Sequence, residues 1–211
     1  MLYSQVAIKR LVIITLMEVT MRYIILAIAL LQFSPLSIAE NTTQLEEEAK
    51  NLAAQLGMQL QAQLKNAIEA GGPSSAITTC NVIAPQIADE LSTGGWKVGR
   101  TSLKLRNPDN NPDAWERSTL LEFEQQLAEG TPAANLQKST IESNHGVTHY
   151  RYMKAIPINS VCLACHGDAI SKDVQSILAE KYPLDAATGY QPGELRGVFT
   201  ISKILGNGSS D

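Results

Sequence analysis

The segment Cys162-Leu163-Ala164-Cys165-His166 decides how the rest of this chain is interpreted. Two cysteines separated by two residues and followed directly by a histidine form the attachment pattern of a c-type haem. The two thiols can form thioethers to the two vinyl groups of one haem, and the histidine then becomes the proximal ligand of the iron. We therefore predict one covalently attached haem c, bound by Cys162, Cys165 and His166.

A zinc half-site and a redox disulfide are the alternative interpretations of the same motif. Zinc would need two further ligands, and Cys80, His145 and His149 could supply them only with irregular spacing. A thioredoxin-like motif would open a helix after a parallel strand, within a βαβ pattern that this sequence lacks. The haem interpretation therefore fits the chain better than either alternative.

The motif lies late in the chain, between two segments that alternate like strands, whereas small all-helical cytochromes carry it near the N-terminus. Two long helical patterns come first, separated by Gly71-Gly72-Pro73. Pro85 is expected to kink the second of them one turn beyond Cys80, and Asp113 with Glu116 predicts a capping box for a later helix. This order of elements indicates an α+β fold with an antiparallel sheet. The predicted helices cover 43–70, 74–91, 114–128 and 172–181, and the predicted strands cover 96–105, 145–156 and 193–205.

The N-terminal part resembles a secretory signal peptide. Met21-Arg22 precedes the apolar run 23–31 and the small residues Ser37-Ile38-Ala39, so cleavage is expected after Ala39. The first twenty residues carry a second, similar pattern, and Met21 is a possible true start. An uncleaved anchor is disfavoured, because Glu18 and Arg22 would each cost about 2.5–3.5 kcal/mol near a bilayer centre. We expect a signal peptide over 1–39, one domain over 40–211 and a periplasmic location.

The charge balance excludes one class of partner. The chain holds 17 Lys and Arg against 21 Asp and Glu, a net charge of −4. Removing 1–39 takes away three basic residues and one acidic residue, which leaves −6. With no basic cluster, a nucleic-acid partner is not expected. The sequence also lacks GxSxG, HExxH and P-loop patterns, so we predict that the protein is not an enzyme.

Several segments together resemble a family of exported single-haem c-type domains, which was first catalogued as a domain of unknown function. The resemblance covers about 43–205, and its specific part is the Arg-Asn-Pro loop followed by Trp-Glu. It implies a PAS-like antiparallel sheet with long N-terminal helices and flanking short helices. Family members are stand-alone proteins or are fused to sensor histidine kinases, and this chain carries no kinase. The matching segments are 76–80, 99–108, 112–116, 162–167 and 193–197.

The resemblance implies that His166 and a cysteine thiolate bind the iron on its two faces, and that the thiolate is Cys80. The residues alone also favour Cys80, which lies on the apolar face of a predicted helix and has no disulfide partner left if the haem takes the other two cysteines. A small buried side chain is the ordinary role of a free cysteine. The open alternatives are a vacant sixth position, His145, His149, Met58 and Met153.

Two arginines are predicted to bind the haem as well. Arg100 and Arg106 lie beside the polar loop and could pair bidentately with the haem propionates. The alternative role for each is that of a surface charge with a local ion pair.

Three functions compete. The first is a redox or diatomic-gas sensor, in which reduction weakens the bond to Cys80 so that NO or CO can replace it. The second is a low-potential periplasmic electron carrier, because a thiolate ligand stabilises ferric iron. A haem enzyme comes third, since an iron bound by both His166 and Cys80 leaves no open site. The partner is an unidentified redox or signalling protein, and a homodimer through the N-terminal helix is possible by analogy.

Overall fold

The computed structural model of the chain describes residues 36–144 and 146–207. The chain divides into two compact units, Met1–Gln44 and Leu45–Asp211, and the second unit carries the sheet and the site described below. The predicted signal peptide lies largely in 1–35, outside the described residues, and His145 lies outside them too. Within the described ranges, no helix has an apolar stretch long enough to cross a membrane.

The first element, α1, runs over Leu36–Leu91 and is interrupted at Gly71 and Gly72. These two residues leave the helical region, and Gly72 has a φ of +74°, a conformation that glycine adopts without steric cost. The predicted division at the glycines is therefore confirmed, although the first arm begins at Leu36 rather than near residue 43. The backbone stays helical through Pro85, where a kink was expected.

Both arms of α1 pack against the same side of the sheet. An uninterrupted helix of 56 residues would be about 84 Å long, so two arms can share one core only if the chain folds back at the glycines. The shared core cluster holds Leu45, Ala49, Ala53 and Leu56 from the first arm, Ile87 from the second arm, and Trp96, Val98, Tyr150, Tyr152 and Ile201 from the sheet.

Among the residues that the structure describes, the sheet has four antiparallel strands in the order β1-β4-β3-β2. The edge strand β2 was not predicted, because its sequence Gln-Lys-Ser-Thr-Ile-Glu-Ser-Asn contains one apolar residue. The strand predicted over 96–105 ends at Thr101, and its last residues form a loop. The strands are β1 (Trp96–Thr101), β2 (Gln137–Asn144), β3 (Val147–Pro157) and β4 (Leu195–Asn207).

A close approach between β1 and β4 shapes the sheet next to the site. Gly197 has a φ of +155°, and a Cβ atom there would overlap the carbonyl oxygen of Thr101. Only glycine fits this position. The approach brings the preceding residue, Arg196, beside Ser102, whose Oγ accepts a hydrogen bond from Arg196 Nη1 at 3.1 Å.

The other side of the sheet is covered by α2 (Ala114–Ala128). Its predicted capping box is confirmed, since the Asp113 side chain accepts from the Glu116 backbone and the Glu116 side chain accepts from the Asp113 backbone. Two short helices follow β3: α3 (Leu163–His166) and α4 (Lys172–Lys181). The structure thus confirms the α+β fold with a long N-terminal helix. The core on this side contains Leu120, Phe123, Leu136, Met153, Ala155, Leu195 and Val198.

Candidate functional site

The two motif cysteines lie one helical turn apart. A 3₁₀ turn over Ser160–Cys162 leads into α3, so residues 162 and 165 project from the same side of this short helical segment. Both thiols are free and half-buried, and so is that of Cys80. Gly167 ends the helix, and a Cβ there would lie 2.7 Å from the carbonyl oxygen of Leu163. The motif is therefore a compact turn that presents two thiols together.

The ring of His166 is fixed by a backbone carbonyl. Its Nδ1 lies 2.7 Å from the carbonyl oxygen of Ala187. A carbonyl oxygen can only accept, so Nδ1 carries the proton and Nε2 is the unprotonated nitrogen with a lone pair. Histidine ligands of metals characteristically donate their other ring N–H in this way, which orients the ring and makes it a stronger donor. His166 therefore has the hydrogen bonding of a metal ligand.

The environment also keeps His166 neutral. Burial, together with the nearby positive charges of Arg196 and Arg106, lowers the pKa of His166 to about 2, although the hydrogen bond to Ala187 acts in the opposite direction. An imidazole binds a metal only when the coordinating nitrogen is unprotonated. The histidine is thus ready to coordinate over the whole physiological pH range.

The segment 185–190 holds the motif through its backbone. The amide of Tyr190 donates to the carbonyl of His166, and the amide of Gly189 donates to the carbonyl of Gly167, each at 2.9 Å. The Tyr190 ring also meets the imidazole edge-on, with centroids 6.2 Å apart. Together with the bond from His166 to Ala187, these contacts fix both the main chain and the side chain of the motif histidine.

Arg106 lies at the site but is already paired. Its Nε and Nη2 lie 3.1 and 3.0 Å from Oδ2 of Asp185. Its Nη2 also donates to the carbonyl of Cys165 at 2.6 Å, and its Nη1 lies 3.5 Å from Nε2 of His166. The protein thus supplies the carboxylate partner for which the sequence analysis suggested a haem propionate.

Arg196 faces the motif histidine, and the sequence analysis did not single it out. Its Nε donates to Nε2 of His166 at 3.4 Å, and its guanidinium carbon lies 5.7 Å from the ring centroid of Tyr190. The available signal was an arginine directly before the strand residue Gly197 in a matching segment. Among the side chains that the structure describes, 41–144 and 146–206, no carboxylate lies within ion-pair distance of Arg196 or Arg100. Burial lowers the pKa of both arginines.

Cys80 lies on the second arm of α1, against the motif. One turn earlier, Ile77 packs in a cluster that includes Cys165 and residues of α4. Burial raises the pKa of the Cys80 thiol, and the charge of Arg100 opposes this shift. Burial also raises the pKa of Cys165, and a Cys80 thiolate would raise it further. Since Arg100 also lowers the pKa of His166, these residues share one electrostatic environment.

The other proposed sixth ligands lie elsewhere. Met153 is fully buried in the core beneath α2, and Met58 is 63% exposed. His149 is eight residues before Pro157 on β3, about 26 Å from the end of the strand that leads into the motif. In the part of the chain that the structure describes, no three His, Cys, Asp or Glu side chains are arranged to hold one metal ion. Of the described candidates, Cys80 is the one placed beside the motif.

Comparisons with known proteins agree with the fold and with a haem interpretation of the motif. The profile of the family described as Tll0287-like matches residues 6–203. The crystal structure of the cyanobacterial haem-protein Tll0287 is similar to this chain, with 24% sequence identity and a TM-score of 0.52. The similarity covers 83% of this chain and 99% of the other, and at this identity it concerns the fold. No curated protein matches the chain.

Proposed function

Because this chain belongs to the Tll0287-like family, we propose that it is a c-type haem protein that carries one covalently attached haem. Cys162 and Cys165 attach the porphyrin, and His166 is the proximal ligand. The observation that carries the proposal is the Nδ1 bond of His166 to Ala187, which leaves Nε2 unprotonated, with its lone pair facing Arg196, beside two thiols on one turn. Each thiol would add across one vinyl group of a haem, with the thiol hydrogen going to the vinyl carbon, so no leaving group would be needed.

Two arginines whose charges act on His166 suit the anionic side of a haem. Arg100 and Arg196 are positively charged, partly buried and without a carboxylate partner among the described residues. A guanidinium can bind a carboxylate through two parallel hydrogen bonds, so both side chains are suited to the propionates. Arg106 keeps its ion pair with Asp185 and supports the motif instead.

We further propose that Cys80 would be the second protein ligand of the haem iron. It lies on the helix face that packs against the motif, and the charge of Arg100 favours its thiolate form. A metal ion bound to a thiol holds it deprotonated, which would overcome the pKa rise that burial causes. This arrangement gives the iron one fixed ligand from α3 and one ligand from the long helix α1.

The function that we favour is that of a redox or diatomic-gas sensor in the periplasm. A bound haem supplies a one-electron redox centre and a position at which NO or CO can bind. The turn that carries Cys80 is suited to move, because Pro85 has no N–H and leaves the carbonyl of Asn81 without its helical partner. A cavity of about 340 Å³ lies beside this turn, lined by Asn81, Pro85 and Tyr182 among others.

A low-potential electron carrier is the second candidate. The segment 185–190 forms one backbone hydrogen bond to Gly167 and two bonds to His166, and such firmly held ligation suits an electron-transfer site. Neither function requires catalysis, and we assign no enzymatic role. The partner is a periplasmic redox or signalling protein, and the haem and the predicted signal peptide over 1–39 together support export.

An absorption titration of the reduced, haem-loaded protein with NO and with CO tests the proposal. For a sensor, we expect rapid binding of either gas with loss of the spectrum of the original sixth ligand. A reduced spectrum that does not respond to either gas would favour the electron carrier. Covalent attachment is tested separately by haem staining after denaturing electrophoresis, and an unstained wild-type band would contradict the haem assignment itself.

A further inference from the structure

The carboxylate of Asp185 is buried and fully engaged. Its side chain is 9% exposed, and that of its ion-pair partner Arg106 is 12% exposed. One oxygen, Oδ2, accepts from the guanidinium, and the other, Oδ1, accepts from the backbone amide of Ala187 at 2.8 Å. Asp185 therefore fixes two groups at once, a charged side chain and the backbone of the residue that bonds to His166.

These bonds converge on a single carbonyl oxygen. The oxygen of Ala187 accepts from Nδ1 of His166 at 2.7 Å and from Nη2 of Arg106 at 3.3 Å. Arg106 is a second donor to the oxygen that accepts from His166, so it draws electron density from this oxygen and weakens the bond to the imidazole N–H. The orientation of His166 and its strength as an electron donor therefore depend on where Arg106 is held.

We propose that Asp185 is a positioning residue that acts through Arg106 and Ala187 on His166 and so sets the reduction potential of the haem. The inference rests on the proposed function, in which His166 is the proximal ligand. A stronger hydrogen bond from a ligand histidine makes its coordinating nitrogen more electron-rich, which favours ferric iron. A positive charge near the iron favours the ferrous state.

The two partners have opposite expected effects. In Asp185→Asn, the positive charge of Arg106 is no longer balanced, so the ferrous state is stabilised and the midpoint potential rises. In Arg106→Gln, the positive charge is removed and the Ala187 oxygen serves His166 alone. Both consequences of Arg106→Gln favour ferric iron, so its midpoint potential falls.

The test is a spectroelectrochemical titration of the haem-loaded protein and its variants. Asp168→Asn is the matched control, because it removes the same charge two residues after His166 from an exposed side chain bonded to Gln191. We expect a rise for Asp185→Asn that is larger than the control shift, a fall for Arg106→Gln, and a potential near the wild-type value for Asp185→Glu.

Shifts of the midpoint potential in the same direction for both variants would overturn the proposal. Loosening of the site alone would shift the potential in one direction, whichever sign of charge is lost. A rise for Asp185→Asn no larger than that of Asp168→Asn would overturn it too. If one variant does not accumulate, the potential shift of the other variant, compared with that of Asp168→Asn, still decides the question. A wild-type protein without covalent haem would overturn the proposed function as well, and staining shows that before any variant is titrated.

Discussion

Arg151 lies over the indole ring of Trp115, with its guanidinium carbon 4.4 Å from the ring centroid. The same guanidinium forms ion pairs with Asp113, Glu116 and Glu142. Because Asp113 and Glu116 also cap α2, a single arginine of β3 fixes the start of that helix against the sheet. The Trp-Glu pair of the sequence motif is thus explained by packing at the helix start.

Replacing Arg151 by Met should lower the free energy of unfolding by about 2–3 kcal/mol, because three carboxylates and one aromatic face lose a largely buried cation. Urea denaturation followed by circular dichroism measures the loss. Lys65→Met is the control, since Lys65 is exposed and lies 3.8 Å from Glu69. That change should alter stability by less than about 0.5 kcal/mol. Equal losses in the two variants would refute the structural role of Arg151.

Gly197→Ala should destabilise the junction of β1 and β4. The new methyl group would overlap the Thr101 carbonyl oxygen in a backbone conformation that disfavours side chains, at a cost of about 2–4 kcal/mol. Gly130→Ala is the control, because Gly130 also has positive φ but no atom lies within 4 Å of its Cβ position. Thermal unfolding should show the larger loss for Gly197→Ala, and the reverse order would contradict the close approach.

Cys80→Ser should leave the haem covalently attached, because Cys162 and Cys165 remain. The ferric absorption spectrum should change to that of a weaker sixth ligand, since a hydroxyl replaces a thiolate. Met58→Leu alters an exposed alternative and should leave the spectrum as it is. An unchanged spectrum in Cys80→Ser would show that another group binds the iron.

The raised pKa of the buried Tyr152 leads us to expect a loss of stability at alkaline pH. Burial raises the pKa of Tyr152 to about 12 from its ordinary 10.0. The pKa of Tyr152 is higher in the folded state than in the unfolded state. The neutral side chain therefore contributes fully to the free energy of unfolding below pH 10, and this contribution is lost as the pH rises to 12. The loss is about 2–3 kcal/mol.

Tyr152→Phe provides the check by urea denaturation at pH 8 and at pH 11. At pH 8 the variant should be about 1 kcal/mol less stable than the wild type, because the bond from the Tyr152 hydroxyl to Gln137 is lost. Its stability should then decrease less between the two pH values. A parallel decrease in both proteins would assign the alkaline transition to other groups.

Local patterns predicted much of the fold, because their physical causes lie within a few residues. The break at Gly71 and Gly72 and the capping box of Asp113 and Glu116 are of this kind. In the site, only those residues were predicted whose side-chain type and spacing indicate their chemistry, such as the motif cysteines and His166. The partner of His166 is the backbone carbonyl of Ala187, 21 residues later, and a carbonyl is common to every residue.

The role of Arg196 could not be predicted from the local sequence either. Its importance comes from a strand pairing that sets Gly197 against Thr101, which places two distant segments of the chain together. Arg106 was noticed, but its buried partner Asp185 follows 79 residues later, and no local pattern connects the two. Such pairings depend on the tertiary fold rather than on spacing along the sequence.

The polar sequence of β2, because of which the strand was not predicted, is of the kind that opposes aggregation through a sheet edge. In the described part of the chain, β2 is the outermost strand, and its backbone N–H and C=O groups on one side have no neighbouring strand; such an edge can pair with another copy of the chain. Its side chains alternate between exposed and half-buried, with Lys138 and Glu142 among them. Charged residues on an edge strand oppose that pairing, so apolar substitutions along β2 would promote intermolecular sheets while leaving the haem site intact.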